Sequence, residues 1–186
     1  TGNLNAVTGF GSLLIAVGCD GLIFTSSNGI SWNQRTSPTD TCVEAVKRCG
    51  LASAGYVAVG QYGLIVTSND GTTWFPRVSG TTSWLRDIAC GCSKAVAVGD
   101  GGVLRISSDG VSWTTASSVG VDLNAVVCNG NTFVAVGATG AVYTSHDAGV
   151  TWVQRTSPTT KGLFGVARIG DTYLAVGLDG TVITSP

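Results

Sequence analysis

Few side chains in this 186-residue chain are equipped for chemistry, and their spacing limits what that chemistry is. There is a single glutamate, Glu44, and a single histidine, His146. Glycoside hydrolysis needs two opposed carboxyl groups. Asp20, Asp100 and Asp179 fall in equivalent turns, where aspartate is an ordinary turn residue, so no acid/base pair stands out. His146 lies between Ser145 and Asp147, but adjacency in sequence is not the geometry of a Ser-His-Asp relay, and a solvated turn histidine is expected. Arg35, Arg77 and Arg155 recur at one repeat position on outer strands, which places them on rims and not around one anion. Cys90-Gly91-Cys92 is too short for the usual C-x2-4-C zinc chelate. No metal or other cofactor is expected.

The elements that carry these residues are set by a repeat. An apolar strand ending in Ala-Val-Gly closes at Gly18, Gly60, Gly99, Gly137 and Gly177, spaced by 42, 39, 38 and 40 residues. Four units continue through Asp or Asn and Gly to Trp32, Trp74, Trp113 and Trp152, spaced by 42, 39 and 39. A period near 40 residues with several short strands per unit is the signature of propeller blades. Each unit has two faces to bury, so neighbours must stack.

The fourth unit shows the expected blade. Leu123 to Val127 forms an inner strand, Asn129-Gly130 a hairpin turn, and Phe133 to Val136 a doubly buried second strand. Ala141 to Thr144 follows as the third strand and Val153 to Thr156 as the outer one, stopped by Pro158. The fold expected is therefore all-β: a five-bladed β-propeller of four-stranded antiparallel blades, one domain over residues 1–186. The blades span about residues 4–40, 41–82, 83–121, 122–161 and 162–186, and the fifth lacks its outer strand.

Composition narrows the partners. Charged residues make up 11% of the chain and the net charge is -1, which argues against a phosphate-tracking surface and hence against nucleic acid. No apolar run approaches the ~20 residues of a membrane-spanning helix. The first residue is Thr, which reads as a processed or excised form. Six cysteines point to an oxidising compartment, extracellular or periplasmic.

The turns before the tryptophans carry a resemblance. Ser145-His146-Asp147-Ala148-Gly149-Val150-Thr151-Trp152 resembles the Asp-box, S-x-D-x-G-x-[ST]-W, of BNR-repeat propellers. The turns holding Asp70 with Trp74 and Asp109 with Trp113 are one residue shorter, and the one holding Asn28 with Trp32 has Asn for Asp. The Ala-Val-Gly-x-x-Gly strands are similar to those of Ycf48-type photosystem assembly factors and bacterial BNR proteins. The resemblance covers the whole chain and speaks to fold more than to function. It implies that these Asp, Asn and Trp residues are structural: the carboxylate or amide accepts turn N–H groups and the indole packs between blades. Calcium is disfavoured because each turn offers one carboxylate at most. Sialidases share the motif, but they require an arginine cluster, a Tyr nucleophile with a Glu partner and an acidic proton donor. The single glutamate and the rim arginines do not supply that set.

Two places are candidate contacts. The second residue of each inner strand, Asn5, Glu44, Arg86, Asn124 and Phe164, stands once per blade and is expected to ring the mouth of the central channel, with Trp84 beside it. An exposed Trp among amides would stack a sugar or anchor a protein. The plainer alternative is that Glu44 pairs with Arg86 between blades and Trp84 covers a joint. The second place is the last strand, Thr181, Val182, Ile183 and Thr184, expected to be a free edge that recruits a strand. Among the cysteines, Cys42 and Cys49 lie seven residues apart on one strand, roughly 23 Å, too far for a disulfide. The expected pairs are Cys19–Cys42, Cys49–Cys92 and Cys90–Cys128.

These readings converge on a secreted, non-catalytic propeller acting as an interaction or assembly module, through a protein partner or self-association. A multivalent carbohydrate-binding lectin is the alternative, and a sialidase-like glycosidase fragment the second alternative.

Overall fold

The computed structural model describes residues 2–185; Thr1 and Pro186, where the expected domain begins and ends, lie outside the described residues. Every regular element is a strand apart from short 3-10 turns. The first sheet holds β1 (Leu4–Phe10), β2 (Leu13–Gly18), β3 (Ile23–Ser26) and β4 (Asn33–Gln34). The second holds β5 (Val43–Leu51), β6 (Ala54–Gly60), β7 (Ile65–Ser68) and β8 (Phe75–Arg77). The third holds β9 (Leu85–Gly91), β10 (Lys94–Gly99), β11 (Leu104–Ser107) and β12 (Thr114–Thr115). The fourth holds β13 (Leu123–Asn129), β14 (Thr132–Gly137), β15 (Val142–Ser145) and β16 (Val153–Gln154). The fifth has β17 (Leu163–Ile169), β18 (Thr172–Gly177) and β19 (Val182–Thr184). Within each sheet the strands pair antiparallel in sequence order.

Two details depart from the sequence reading. The outer strands are stubs of two or three residues, because each follows a turn whose hydrogen bonds go to side chains and has no outer neighbour. In the fourth sheet Asn129 pairs with Thr132, so the hairpin turn is Gly130-Asn131, with Gly130 at positive φ, and Asn129 belongs to the strand.

The core lies between sheets. Ile15, Val17 and Ile23 of the first sheet pack on Val46, Tyr56, Val66 and Trp74 of the second. The second packs on the third through Val57, Val59 and Ile65 against Leu85, Ile88 and Trp113. The third meets the fourth through Val96, Val98, Leu104 and Ile106 against Phe133, Tyr143 and Trp152. A smaller cluster of Ala125, Val136, Leu163 and Ala175 joins the fourth to the fifth. Burial of such apolar faces is the main force holding stacked blades together. Sheets one to five pack in series, and among the described residues the first and fifth share no strand pairing.

The repeat glycines follow from this packing. A Cβ on Gly99 would land on the carbonyl of Trp84, where the second strand crosses the entry to the inner strand. Gly71, at φ +75°, would carry a Cβ 2.7 Å from Ile15 Cδ1, so the turn of one sheet reaches the face of the sheet before it only as glycine.

Candidate functional site

The channel mouth is built by a bulge repeated five times. On each inner strand the pairing register slips across the second residue: between Leu4 and Ala6, Val43 and Ala45, Leu85 and Asp87, Leu123 and Ala125, Leu163 and Gly165. A bulge re-aims the extra side chain. Asn5, Glu44, Arg86, Asn124 and Phe164 occupy those positions, and all five line one cavity of about 300 Å³ at the axis.

Most polar groups of this ring are already engaged. Asn5 Nδ2 donates to the Val43 carbonyl at 3.1 Å and to Glu44 Oε2 at 3.3 Å. Asn124 Nδ2 donates to the Leu163 carbonyl at 2.8 Å, the equivalent bond at the joint between the fourth and fifth sheets. Glu44 Oε1 accepts from Gln61 Nε2 at 3.1 Å. Arg86 pairs with Asp100 of its own sheet. The expected Glu44–Arg86 pair is therefore corrected: each has a nearer partner beside its own bulge. Trp84 is half-buried and does not line the cavity; the Arg86 guanidinium lies 5.7 Å from its ring centroid.

One channel residue escaped the sequence reading. Asp87 sits where the other sheets have Ala6, Ala45, Ala125 and Gly165, and that break in the repeat was a readable signal. Its Oδ1 accepts from the Ile88 N–H at 2.8 Å, and its Oδ2 from the Val126 N–H of the next sheet at 2.9 Å. Enclosure pushes its carboxyl above the usual carboxylate range, against the pull of those N–H groups and of the Lys47 charge. With both oxygens occupied, Asp87 fastens the third inner strand to the fourth.

The acidic turns are likewise committed. Asp109 Oδ1 accepts from the Val111 and Ser112 N–H groups at 2.8 Å each and from Ser107 Oγ at 3.1 Å. The Ser112 N–H first, and then Val111, lower its pKa from 3.8 to about 2. Asp147 falls to about 2 chiefly through the Thr151 hydroxyl, 2.6 Å away, and Asp70 is lowered chiefly by the Thr73 N–H. Asn28 accepts the Ile30 and Ser31 N–H groups at 2.9 Å each, so an amide does the same work. Each indole N–H closes the turn on a glycine carbonyl: Trp32 on Gly29, Trp74 on Gly71, Trp113 on Gly110 and Trp152 on Gly149. Asp20 and Asp179 sit in left-handed turn positions, at φ 57° and 54°. His146 is exposed and meets Thr132 and Arg155. Among the described residues no cluster of three His, Cys, Asp or Glu side chains is placed to hold a metal.

Cysteines fasten both ends of the channel. Cys19 is bonded to Cys42 at the end with the bulges. At the far end Cys49 is bonded to Cys90, which corrects the expected Cys49–Cys92 and Cys90–Cys128 pairs. The reason is a bulge between Arg48 and Leu51 that brings Cys49 level with Cys90, whereas Cys92 is carried two residues on into the hairpin turn. Cys92 and Cys128 are free thiols, and Cys128 donates to the Cys90 carbonyl at 2.7 Å.

The last strand is the other candidate. Among the described residues β19 pairs with β18 alone. Ser185 N–H bonds the Tyr173 carbonyl at 2.8 Å, so by alternation Val182 and Thr184 turn their N–H groups outward. Beside the edge, between the fourth and fifth sheets, runs a groove of about 430 Å³ whose lining includes Val134, Val136, Thr144, Tyr173, Ala175 and Ile183.

No protein-family profile and no curated protein matches the chain. Solved structures do. A structure of Ycf48 bound to a D1 peptide is similar over 99% of this chain and 63% of that one, at 18% identity and TM-score 0.73. An ancestral GH74 enzyme matches over 97% of this chain and 28% of its own, at 18% identity and TM-score 0.76. The WD40 β-propeller domain of Doa1 matches over 98% and 64%, at 12% identity and TM-score 0.74. The chain thus spans less than two thirds of each, and what it shares with them is the β-propeller fold. Among the described residues no helix is long and apolar enough to cross a membrane, and two disulfides fit an oxidising compartment.

Proposed function

We propose that this chain is a non-catalytic, secreted interaction propeller whose contact site is the open edge of the fifth sheet, Thr181 to Thr184, and that its partner is a protein segment in extended conformation. The observation that carries the reading is the outward row of β19 beside an unfilled groove. Unpaired strand edges take up further strands, with main-chain bonds giving affinity and pockets giving selectivity. A propeller of the same fold, Ycf48, has a structure with a peptide bound. The channel mouth supports binding less well, because Asn5, Glu44, Arg86 and Asn124 spend their polar groups on one another, on the adjacent turns of their own sheets and on the joints. Within the channel mouth the two carboxylates, Glu44 and Asp87, are likewise engaged, which speaks against an acid/base pair for glycosidase chemistry there.

The test is an unbiased one. A random peptide library is selected against the whole protein and against a Thr184→Pro variant, which loses one outward N–H. Peptides enriched on the first and not on the second support the edge. An enriched pool indifferent to Thr184→Pro, or enrichment of glycans on an array without any peptide, refutes it.

A further inference from the structure

The joint between the fourth and fifth sheets differs from the three before it. At those three a tryptophan from the later sheet enters the gap: Trp74, Trp113 and Trp152. Trp152 packs in a cluster with Val96, Val98, Leu104 and Ile106. The equivalent positions at the fourth joint are Val134, Val136, Val142 and Thr144, and these line the open groove. The groove is the indole position of the repeat.

A second regularity concerns the edge. Arg35 Nε donates to Thr25 Oγ1 at 2.7 Å, Arg77 to Thr67 at 2.8 Å and Arg155 to Thr144 at 2.7 Å. In each case the arginine stands three residues after the tryptophan, and the threonine lies on the third strand. The third sheet is the exception on both sides at once. It has Ile106 for the threonine and Ala116 for the arginine, and its guanidinium comes instead from Arg105, which reaches Thr115 and the Gly80 carbonyl. Across the four four-stranded sheets threonine and arginine therefore occur together or not at all. In the fifth sheet the position belongs to Thr184, opposite Leu174 as Thr25 is opposite Ile15, and Thr184 is exposed.

From these two observations we infer that the edge selects a partner segment carrying Trp-x-x-Arg. The segment lies antiparallel to β19, its indole fills the groove between the fourth and fifth sheets, and its guanidinium donates to Thr184 Oγ1. This rests on the edge being the contact site and specifies what that edge recognises. The chemistry needs both parts. The groove is apolar and wide enough for an aromatic ring, and the threonine hydroxyl is a single acceptor placed for a charged donor three residues on.

The probe is a fluorescein-labelled peptide with the sequence of residues 147–156, which contains Trp152 and Arg155, titrated with the whole disulfide-bonded protein by fluorescence anisotropy. The parent peptide is expected to bind. The Arg155→Ala peptide should bind about tenfold more weakly, the scale of one hydrogen bond to a charged group, and the Trp152→Ala peptide more weakly still. A Thr184→Val protein should lose the same factor for the parent peptide and nothing further for Arg155→Ala, since the two changes remove one interaction. Its unfolding curve, matched to the parent protein, guards against a folding defect. Either altered peptide binding as tightly as the parent, or Thr184→Val costing nothing, overturns the inference; if Thr184→Pro still abolishes binding in that case, the edge reading stands without it. Failure of the parent peptide to bind also overturns it, while the library selection decides the edge reading separately.

Discussion

At the scale of single residues, the carboxylates of the acidic turns are tied to turn N–H groups and hydroxyls, and pH should report this. The folded chain holds Asp109 ionised down to about pH 2, whereas its ordinary value is 3.8. Between those values the unfolded chain binds more protons, so stability contributed by this carboxylate is complete above about pH 4 and is lost as the pH falls towards 2. Asp147 acts in the same sense and the same window. Asp109→Asn should therefore keep most of the stability at pH 7, because Asn28 makes the same turn bonds, and should flatten the loss measured by urea unfolding between pH 4 and pH 2. Asp109→Ala should cost about 1 kcal/mol at pH 7. Equal losses for Asn and Ala would show that charge, not acceptance of N–H groups, holds the turn. The thiols are a second residue-scale check. The chain has six cysteines and four are bonded, so titration of the unreduced, unfolded protein should find two free. In the folded protein Cys92 should react first, since it is exposed while burial pushes the Cys128 thiol up.

At the scale of elements, the value of a tryptophan depends on whether a sheet precedes its own. Trp74 and Trp113 are 5% and 9% exposed, whereas Trp32, whose turn has no earlier sheet to enter among the described residues, is 37% exposed. Trp113→Ala should cost about 3–5 kcal/mol, and Trp32→Ala well under half of that; chemical denaturation of the two variants compares them directly, and equal costs would mean the indoles serve only their own turns. The repeat made this architecture legible beforehand. A fixed period with glycine, aspartate and tryptophan at set offsets leaves one way to stack the units, and the position of the five bulge residues followed from that alignment. What was not legible depends on departures from the repeat. Asp87 stands at an alanine position, Arg105 at an apolar one, and the bulge at Cys49 moves a cysteine by one level, enough to change its partner. Disulfide pairing at the far end rests on such one-residue offsets, which spacing alone does not resolve.

At the scale of the whole molecule, five units in series give two ends that are packed on one face only. Val176 is 44% exposed, while its equivalents Val17, Val59, Val98 and Val136 are 0%, 0%, 0% and 1% exposed. In a stacked array each unit is stabilised by its own folding and by its interfaces, so the ends should open most readily. They are not alike, however. The first sheet is tied to the second by Cys19–Cys42, and no disulfide reaches the fifth. A bond closing a loop of 23 residues contributes about 3 kcal/mol. Amide hydrogen exchange read by mass spectrometry should therefore rank the third sheet as most protected, the first as intermediate and the fifth as least. Replacing both Cys19 and Cys42 by Ser should bring the first sheet down towards the level of the fifth and leave the fifth unchanged. Uniform protection along the chain would mean that the array opens as one unit, and that the exposed face at Val176 carries no energetic consequence. Slowed exchange of Val182 and Thr184 on adding the peptide of residues 147–156, with the first sheet unaffected, would place the occupant on the fifth sheet's edge and on no other end.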